Sequence, residues 1–181
     1  MAVSDGSFKD KFGTAAWVIE GRRSDGRLEG QCIIPGGPED QSAYRSELGG
    51  LYAIAAMVQV ICELHNIQEG SIEVACDGMN ALAQVGEADP IIRPNGAQYD
   101  IIAATQAKIK RTNIQWKMRH VMGHQDDTQG CTVMDRWETL NCMMDERAKQ
   151  HWQHHSTRTT RVQSAVDCEP WAVLTGRSKI C

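Results

Sequence analysis

The chain has 181 residues, 41% of them hydrophobic and 23% charged, which is enough for a sizeable core. Its formal net charge of −4 argues against a strongly basic, non-specific nucleic-acid binder, but it is compatible with a nucleic-acid enzyme whose acidic site is neutralised by metal. The seven cysteines form no C-x-x-C pair, so we expect reduced thiols in an intracellular protein of the cytoplasm or nucleus. Neither a secretion signal nor an apolar run of about 20 residues is recognised, so no membrane association is expected.

The first third of the chain predicts an antiparallel meander followed by a long helix. Apolar stretches over residues 1–5, 14–20 and 28–34 are joined by short turns that contain glycine. Apolar residues then recur every three or four positions from 41 to 65, which predicts a helix. The Gly49-Gly50 pair inside it is unfavourable for a helix, and close packing against a sheet would explain it.

The rest of the chain alternates between strand and helix patterns. The predicted elements are a strand over 71–77, a short helix over 81–85, a loop over 89–96, a helix over 97–110, a strand over 114–120, an irregular segment over 123–137 and a helix over 139–152. This order predicts an α/β fold with a mixed five-stranded sheet, in which three antiparallel strands are followed by parallel strands and helices flank the sheet. Residues 1–153 form the predicted domain, and residues 154–181 a polar linker with a candidate closing hairpin.

Four acidic residues stand at positions where a purely structural carboxylate would be unfavourable. Asp5 and Asp77 each end a predicted strand, Glu47 lies one helical turn before a core leucine, and Asp145 lies in the last helix. If the first and fourth strands are neighbours, the first three carboxylates meet. Two unit charges about 4 Å apart repel by about 4 kcal/mol at an effective dielectric of 20, so the arrangement predicts bound Mg²⁺ or Mn²⁺.

Each of these residues also has an ordinary structural interpretation. Asp5-Gly6 alone is typical of a turn, Asp77-Gly78 of a helix cap and Glu47 of a solvated helix residue, and Asp145 could pair with Arg147 or Lys149. His151, His154 and His155 resemble a second metal cluster, but the sequence favours a solvated helix end over a zinc site there, and a solvated loop at Asp135.

Five short motifs in a fixed order carry a family resemblance. They are Ser4-Asp5-Gly6-Ser7, Tyr44-Arg45-Ser46-Glu47-Leu48, Cys76-Asp77-Gly78, Gly123-His124 and the segment from Leu140 to Ala148 that contains Asp145. Over roughly residues 1–153 the chain resembles ribonuclease H. In the Asp77-Gly78 pair and the long insertion after His124 the chain resembles ribonuclease H domains of retroelement polyproteins more than free-standing bacterial enzymes, which would make a reverse transcriptase in the same polyprotein a partner.

The resemblance implies hydrolysis of the RNA strand of an RNA–DNA hybrid with two Mg²⁺ ions, for which Mn²⁺ can substitute. It assigns Asp5 to both ions, Glu47 and Asp77 to the ion on the leaving-group side, and Asp145 to the ion that activates water. It gives His124 a role in proton transfer or product departure.

The resemblance also implies contacts to substrate. The backbone of Gly6 and Ser7 and the side chains of Ser42 and Arg45 are the expected contacts, and selectivity would come from 2′-hydroxyls in a wide minor groove. Ala43 cannot donate a side-chain hydrogen bond there, and the chain lacks a basic substrate-binding helix, so hybrid binding should be modest and salt-sensitive. We expect a monomer.

Two other functions share these features. One is a non-catalytic nucleic-acid-binding or connecting module of a retroelement polyprotein, against which the complete acidic set argues. The other is a strand-transferring relative such as an integrase, which would use a different acidic set and usually an added DNA-binding domain.

Overall fold

The protein was analysed as a computed structural model, which describes residues 1–21, 26–86, 96–123 and 134–156. All nine predicted elements are present. The strands are β1 Ala2–Lys9, β2 Phe12–Glu20, β3 Arg27–Ile33, β4 Ser71–Cys76 and β5 Gln115–His120. The helices are α1 Ala43–Leu64, α2 Met79–Gly86, α3 Tyr99–Lys110 and α4 Arg136–His155. The predicted loop over 89–96, most of the irregular segment over 123–137 and most of the C-terminal linker and hairpin lie outside the described residues.

The five strands form one mixed sheet in the order β3-β2-β1-β4-β5. The pairs β1–β2 and β2–β3 are antiparallel, whereas β1–β4 and β4–β5 are parallel. The parallel pairs are connected through helices, as parallel strands require. This topology confirms the predicted fold class.

The first hairpin is longer than the sequence predicted. β1 continues through Asp5 and Gly6 to Lys9, and the turn falls at Asp10 and Lys11, whose φ angles are +53° and +58°. The expectation that the strand ends at Asp5 and turns at Gly6-Ser7 was therefore wrong. The reason is that β2 pairs with β1 along its full length, up to Lys9 opposite Phe12, and so keeps these polar residues extended.

Helices cover both faces of the sheet. α1 packs on one face with the fully buried Leu48, Leu51 and Ile54, and α4 packs on the other with Leu140 and Met144. α1 is long and apolar enough to cross a membrane, with a mean hydropathy of 1.4 over its most apolar stretch, but half of that stretch is buried in the protein. Packing on the sheet accounts for this apolarity.

The glycine pair in α1 lies where the helix packs closely on the sheet, as predicted. A Cβ on Gly50 would lie 2.8 Å from the Cβ of Ser4 in β1, and a Cβ on Gly49 would overlap the side chain of Ile34. The absence of both side chains lets the start of α1 lie directly on β1, at the level of Asp5.

α4 begins and ends outside its predicted limits. It starts at Arg136 because Asp135 caps it: the Asp135 side chain accepts from the Glu138 N–H, and the Glu138 side chain accepts from the Asp135 N–H. Asp135 is therefore a helix cap, and its interpretation as loop solvation was wrong. At the other end α4 reaches His155, so the predicted domain boundary after residue 153 falls inside the helix.

Candidate metal centre

Asp5 and Asp77 lie side by side at the C-terminal end of β4. In the parallel β1–β4 pair Val3 lies opposite Ala75, and the same offset brings Asp5 level with Asp77, the first residue after β4. Side chains alternate along a strand, so Asp5 shares a face with Val3. The predicted meeting of these two residues therefore follows directly from the register.

The start of α1 brings a third carboxylate to the same place. α1 passes so close to β1 that a Cβ on Gly6 would lie 2.6 Å from the backbone nitrogen of Glu47, and a Cβ on Gly78 would lie 3.1 Å from its Cγ. One carboxylate oxygen from each of Asp5, Glu47 and Asp77 lies within 4.8 Å of the other two. The glycines in the two Asp-Gly motifs thus make room for the glutamate.

Burial and crowding together raise the pKa values of Asp5 and Glu47. Burial raises the pKa of Asp5 to about 8, and the charges of Asp77 and Asp145 act in the same direction. Burial also raises the pKa of Glu47 well above its usual range, with further contributions from the charges of Asp5 and Asp77. The protein thus holds carboxylates together at an electrostatic cost that protons or cations offset.

The donor set fits a hard divalent cation. All three side chains offer oxygen, the ligand type that Mg²⁺ and Mn²⁺ take. The Oε2 atom of Glu47 is buried and has no hydrogen-bond partner among the described residues. A buried oxygen without a partner costs free energy, and coordination to a cation would satisfy it.

Asp145 belongs to the same electrostatic group but lies outside the tight cluster. Its charge contributes to the raised pKa of Asp5, so the two carboxylates interact electrostatically. Its Oδ2 atom accepts from Nζ of Lys149 at 2.6 Å, which is the ion pair that the structural interpretation anticipated. Asp145 can therefore form an ion pair and still belong to the acidic group. Lys149 takes part in the same group, since its charge lowers the pKa of Asp5.

Asn141 is a residue of this site that the sequence analysis did not assign. It is 1% exposed on the sheet-facing side of α4, and its Nδ2 atom donates to Oδ2 of Asp5 at 3.2 Å. Its Oδ1 atom has no hydrogen-bond partner within the part of the chain that is described. An amide between the core residues Leu140 and Met144, one turn before Asp145, was the available sequence signal.

No protein-family model matches the chain, and no curated protein matches it. Solved structures do match. LC11-RNase H1, solved in complex with an RNA/DNA hybrid, shares 12% identity over 82% of this chain and 93% of its own, with a TM-score of 0.59. The N-terminal RNase H domain of a Mycobacterium tuberculosis protein, fused to maltose-binding protein, shares 14% identity over 86% of this chain and 95% of its own, with a TM-score of 0.55. RNase H1 from Halobacterium salinarum NRC-1 shares 15% identity over 84% and 96%, with a TM-score of 0.54.

The chain has the ribonuclease H fold. The three neighbours are covered almost completely, so the likeness extends over the whole sheet and its helices. At 12% to 15% identity this likeness establishes the fold, whereas the reaction has to be inferred from the residues of the site.

Arg45 occupies an internal position in this ribonuclease H fold. It is 2% exposed, and its guanidinium donates to both carboxylate oxygens of Asp100, at 2.9 Å and 2.5 Å, to the Pro35 carbonyl at 2.7 Å and to Gln98 Oε1. These bonds connect α1 to α3 and to the segment before α1. The geometry favours a structural role over the predicted contact with substrate.

The other predicted substrate contacts are partly accessible. Gly6 and Ser7 lie in β1 immediately after Asp5 and are half-buried. Ser42 is the N-cap of α1, where its Oγ accepts from the Arg45 N–H at 3.0 Å. That bond explains the helix start at Ala43 and leaves the hydroxyl hydrogen of Ser42 available to another acceptor.

His124 lies outside the described residues, but the residue before it touches the cluster. A Cβ on Gly123 would lie 2.5 Å from Oδ2 of Asp77, so only glycine fits there without displacing the carboxylate. A second histidine, His120 at the end of β5, contacts the Asp77 carbonyl through Nε2 at 3.2 Å. The end of β5 and Gly123 thus both lie next to Asp77.

Proposed function

We propose that this protein is a metal-dependent endonuclease that hydrolyses the RNA strand of RNA–DNA hybrids. The observation that carries the proposal is the group of Asp5, Glu47 and Asp77 within 4.8 Å, held at the end of β4 in the ribonuclease H fold. LC11-RNase H1, which has this fold, was solved with an RNA/DNA hybrid bound, and this supports a hybrid as the substrate.

The residues divide between two cation positions. Two Mg²⁺ ions, or Mn²⁺ in their place, would supply an activated water and charge neutralisation at the leaving oxygen. Asp5, central among the acidic residues, would contact both positions, Glu47 and Asp77 the leaving-group side, and Asp145 the water side. Lys149, paired with Asp145, would keep that carboxylate oriented. His124, which follows the glycine packed on Asp77, would move a proton or assist product departure.

Recognition of the hybrid would rely on its sugar-phosphate backbone. The amides of Gly6 and Ser7 and the hydroxyl of Ser42 lie on the two elements that carry Asp5 and Glu47. Contacts of this kind detect 2′-hydroxyls and the shape of the minor groove, not the base sequence.

Cleavage of an end-labelled RNA–DNA hybrid with and without Mg²⁺ tests the proposal. We expect Mg²⁺-dependent products with a 5′-phosphate and a 3′-hydroxyl, and no cleavage by Asp77→Asn at equal protein concentration. Asp10→Asn is the matched control, because it makes the same chemical change in the exposed β1–β2 turn. Absence of cleavage by the folded wild-type protein would favour a non-catalytic nucleic-acid-binding or connecting module instead.

The substrate series separates the nuclease from a strand-transferring relative. The same assay with duplex DNA should give no product, whereas an integrase-like enzyme would act on the DNA duplex. An origin in a retroelement polyprotein, a linked reverse transcriptase, a monomeric state and an intracellular location are further proposals, which the motif resemblance and the composition support.

A further inference from the structure

Three histidines lie on the last turn of α4, away from the carboxylate group. They are His151, His154 and His155, and the helix ends at His155. A rise of about 1.5 Å per residue places His151 about 9 Å along the helix axis beyond Asp145. The proposed nuclease chemistry assigns these residues no role.

Two of the imidazoles lie against each other. His151 and His155 are four residues apart, so they share one helix face, and their ring centroids are 4.2 Å apart with an interplanar angle of 38°. Burial and the neighbouring charges of His155 and His154 lower the pKa of His151. Neutral rings are the form that binds metal.

The protonated nitrogen of His155 can be assigned from its partner. Its Nδ1 atom lies 3.0 Å from the carbonyl oxygen of His151, and a carbonyl can only accept, so Nδ1 carries the hydrogen. The lone pair of the neutral ring is then on Nε2. Histidines that ligate metal commonly donate their other ring nitrogen to a backbone carbonyl in this way.

The end of α4 is anchored to the sheet. The indole Nε1 of Trp152 donates to the Lys9 carbonyl at 3.0 Å, and the Lys9 ammonium lies 5.2 Å from the centre of the Trp152 ring. The histidine pair therefore lies on a fixed helical turn. The negative end of the helix dipole, at the same turn, favours a cation there.

We propose that His151 and His155 form a two-imidazole site for a borderline transition metal ion, Zn²⁺, Ni²⁺ or Cu²⁺, separate from the carboxylate centre. Imidazole nitrogen selects these ions, whereas Mg²⁺ prefers oxygen, so the two centres differ in the metal they take. The remaining coordination positions face solvent, since His151 and His155 are both partly exposed. The proposal does not depend on nuclease activity.

Calorimetric titration of the full chain with Ni²⁺, in buffer that contains excess Mg²⁺ to occupy the carboxylates, tests this site. We expect a saturable Ni²⁺ site in the wild type. Its affinity should fall at least about tenfold in His151→Gln and in His155→Gln, because each variant removes one of the two ligands and even loss of an outer-shell partner costs that much. His154→Gln is the matched control: it removes the same group from the same turn, but its ring is exposed and does not belong to the stacked His151–His155 pair. It should retain wild-type affinity.

Thermal unfolding provides a second readout. At a Ni²⁺ concentration about 100-fold above the dissociation constant, the melting temperature should rise by roughly 5–10 °C in the wild type and in His154→Gln, and not in the other two variants. Imidazole nitrogen resonances that shift for residues 151 and 155 on Ni²⁺ or Zn²⁺ addition would agree. Equal Ni²⁺ affinity in wild type, His151→Gln and His155→Gln would overturn the proposal, and so would loss of binding in His154→Gln alone.

Discussion

Asn141 of α4 donates a buried hydrogen bond of 3.2 Å to Asp5 of β1. The two residues lie on elements that pack on each other across the sheet face, and the same helix carries Asp145 one turn later. The bond therefore fixes the orientation of the Asp5 carboxylate relative to α4, the helix that carries Asp145. An amide can do this without adding a fifth negative charge to the group.

Asn141→Ala should lower hybrid cleavage by about 10- to 100-fold, the usual effect of removing a residue that orients a metal ligand. The variant should also need a higher Mg²⁺ concentration to reach half of its maximal cleavage rate, because the Asp5 carboxylate loses its fixed orientation. Gln150→Ala, an exposed amide on the same helix, serves as the control and should cleave normally. A rate within twofold of wild type for Asn141→Ala would remove the positioning role from this residue.

Asp5→Asn should abolish cleavage and yet stabilise the metal-free protein. The wild-type carboxylate is 5% exposed and surrounded by acidic groups, so its ionised form costs free energy that a neutral amide avoids. For a domain of this size each kcal/mol gained raises the melting temperature by about 2–4 °C. The measurement is thermal unfolding in chelator at about pH 9, where the wild-type Asp5 is ionised. A lower melting temperature for the variant under those conditions would contradict the view that the carboxylates repel one another.

The stability of the metal-free protein should fall as pH rises. The pKa of Asp5 is about 8 in the folded protein against a reference of 3.8, so the folded state binds more protons than the unfolded chain within this window. Stability then decreases with pH from about 4 to 8 and changes little from this group above that. The raised pKa of Glu47 acts in the same direction. Melting temperatures measured across this range should decline without Mg²⁺ and decline less with saturating Mg²⁺. A flat profile in chelator would contradict the raised pKa values.

Much of the architecture could be predicted because it depends on local patterns. Apolar runs, turn residues and periodicity together located all nine elements, and the alternation of side chains along strands brings Asp5 and Asp77 together if β1 and β4 are neighbours, as they are. The sequence also contains a signal for the start of α4, since Asp135 and Glu138 have the spacing of a capping box. The polar segment before it obscured this signal, and the predicted helix began three residues too late. The length of β1 was not readable, because partner β2 determines it.

The environment of individual side chains was harder to predict. Arg45 stands next to the acidic motif in sequence, which favoured a substrate role, but its partner Asp100 is 55 residues away and is brought to it only by the packing of α3 on α1. Asn141 shows the converse. Its sequence context is an ordinary helix, and only the fold shows that it faces Asp5.

Arg45→Ala should destabilise the protein by about 2–4 kcal/mol, because it leaves Asp100 and the Pro35 carbonyl without their donor. The loss is smaller than for a fully buried ion pair, because the Asp100 side chain is 39% exposed. Chemical denaturation measures the effect, and Arg45→Lys should recover only part of it, since an ammonium cannot form the two-pronged contact with Asp100. If Arg45→Ala keeps wild-type stability but loses hybrid affinity, the substrate role predicted from sequence is correct after all.

His124→Ala should slow multiple-turnover cleavage and leave metal binding intact. The motif resemblance places the imidazole in proton transfer or product departure, whereas the proposed cation ligands are carboxylates on β1, α1 and α4 and after β4. We expect a loss of about 10²-fold in turnover, the lower end of the range for a general acid or base, with an unchanged Mg²⁺ dependence. His65→Ala is the matched control, because His65 is an exposed histidine at the opposite end of α1 from Glu47.

The two possible roles of His124 predict different kinetics. A role in product departure slows multiple turnover but leaves single-turnover cleavage unchanged, whereas a role in proton transfer slows both. His120 provides an informative third variant, because its ring contacts the Asp77 carbonyl beside the carboxylate group. If turnover is lost in His120→Ala and preserved in His124→Ala, the proton-transfer role belongs to the histidine at the end of β5.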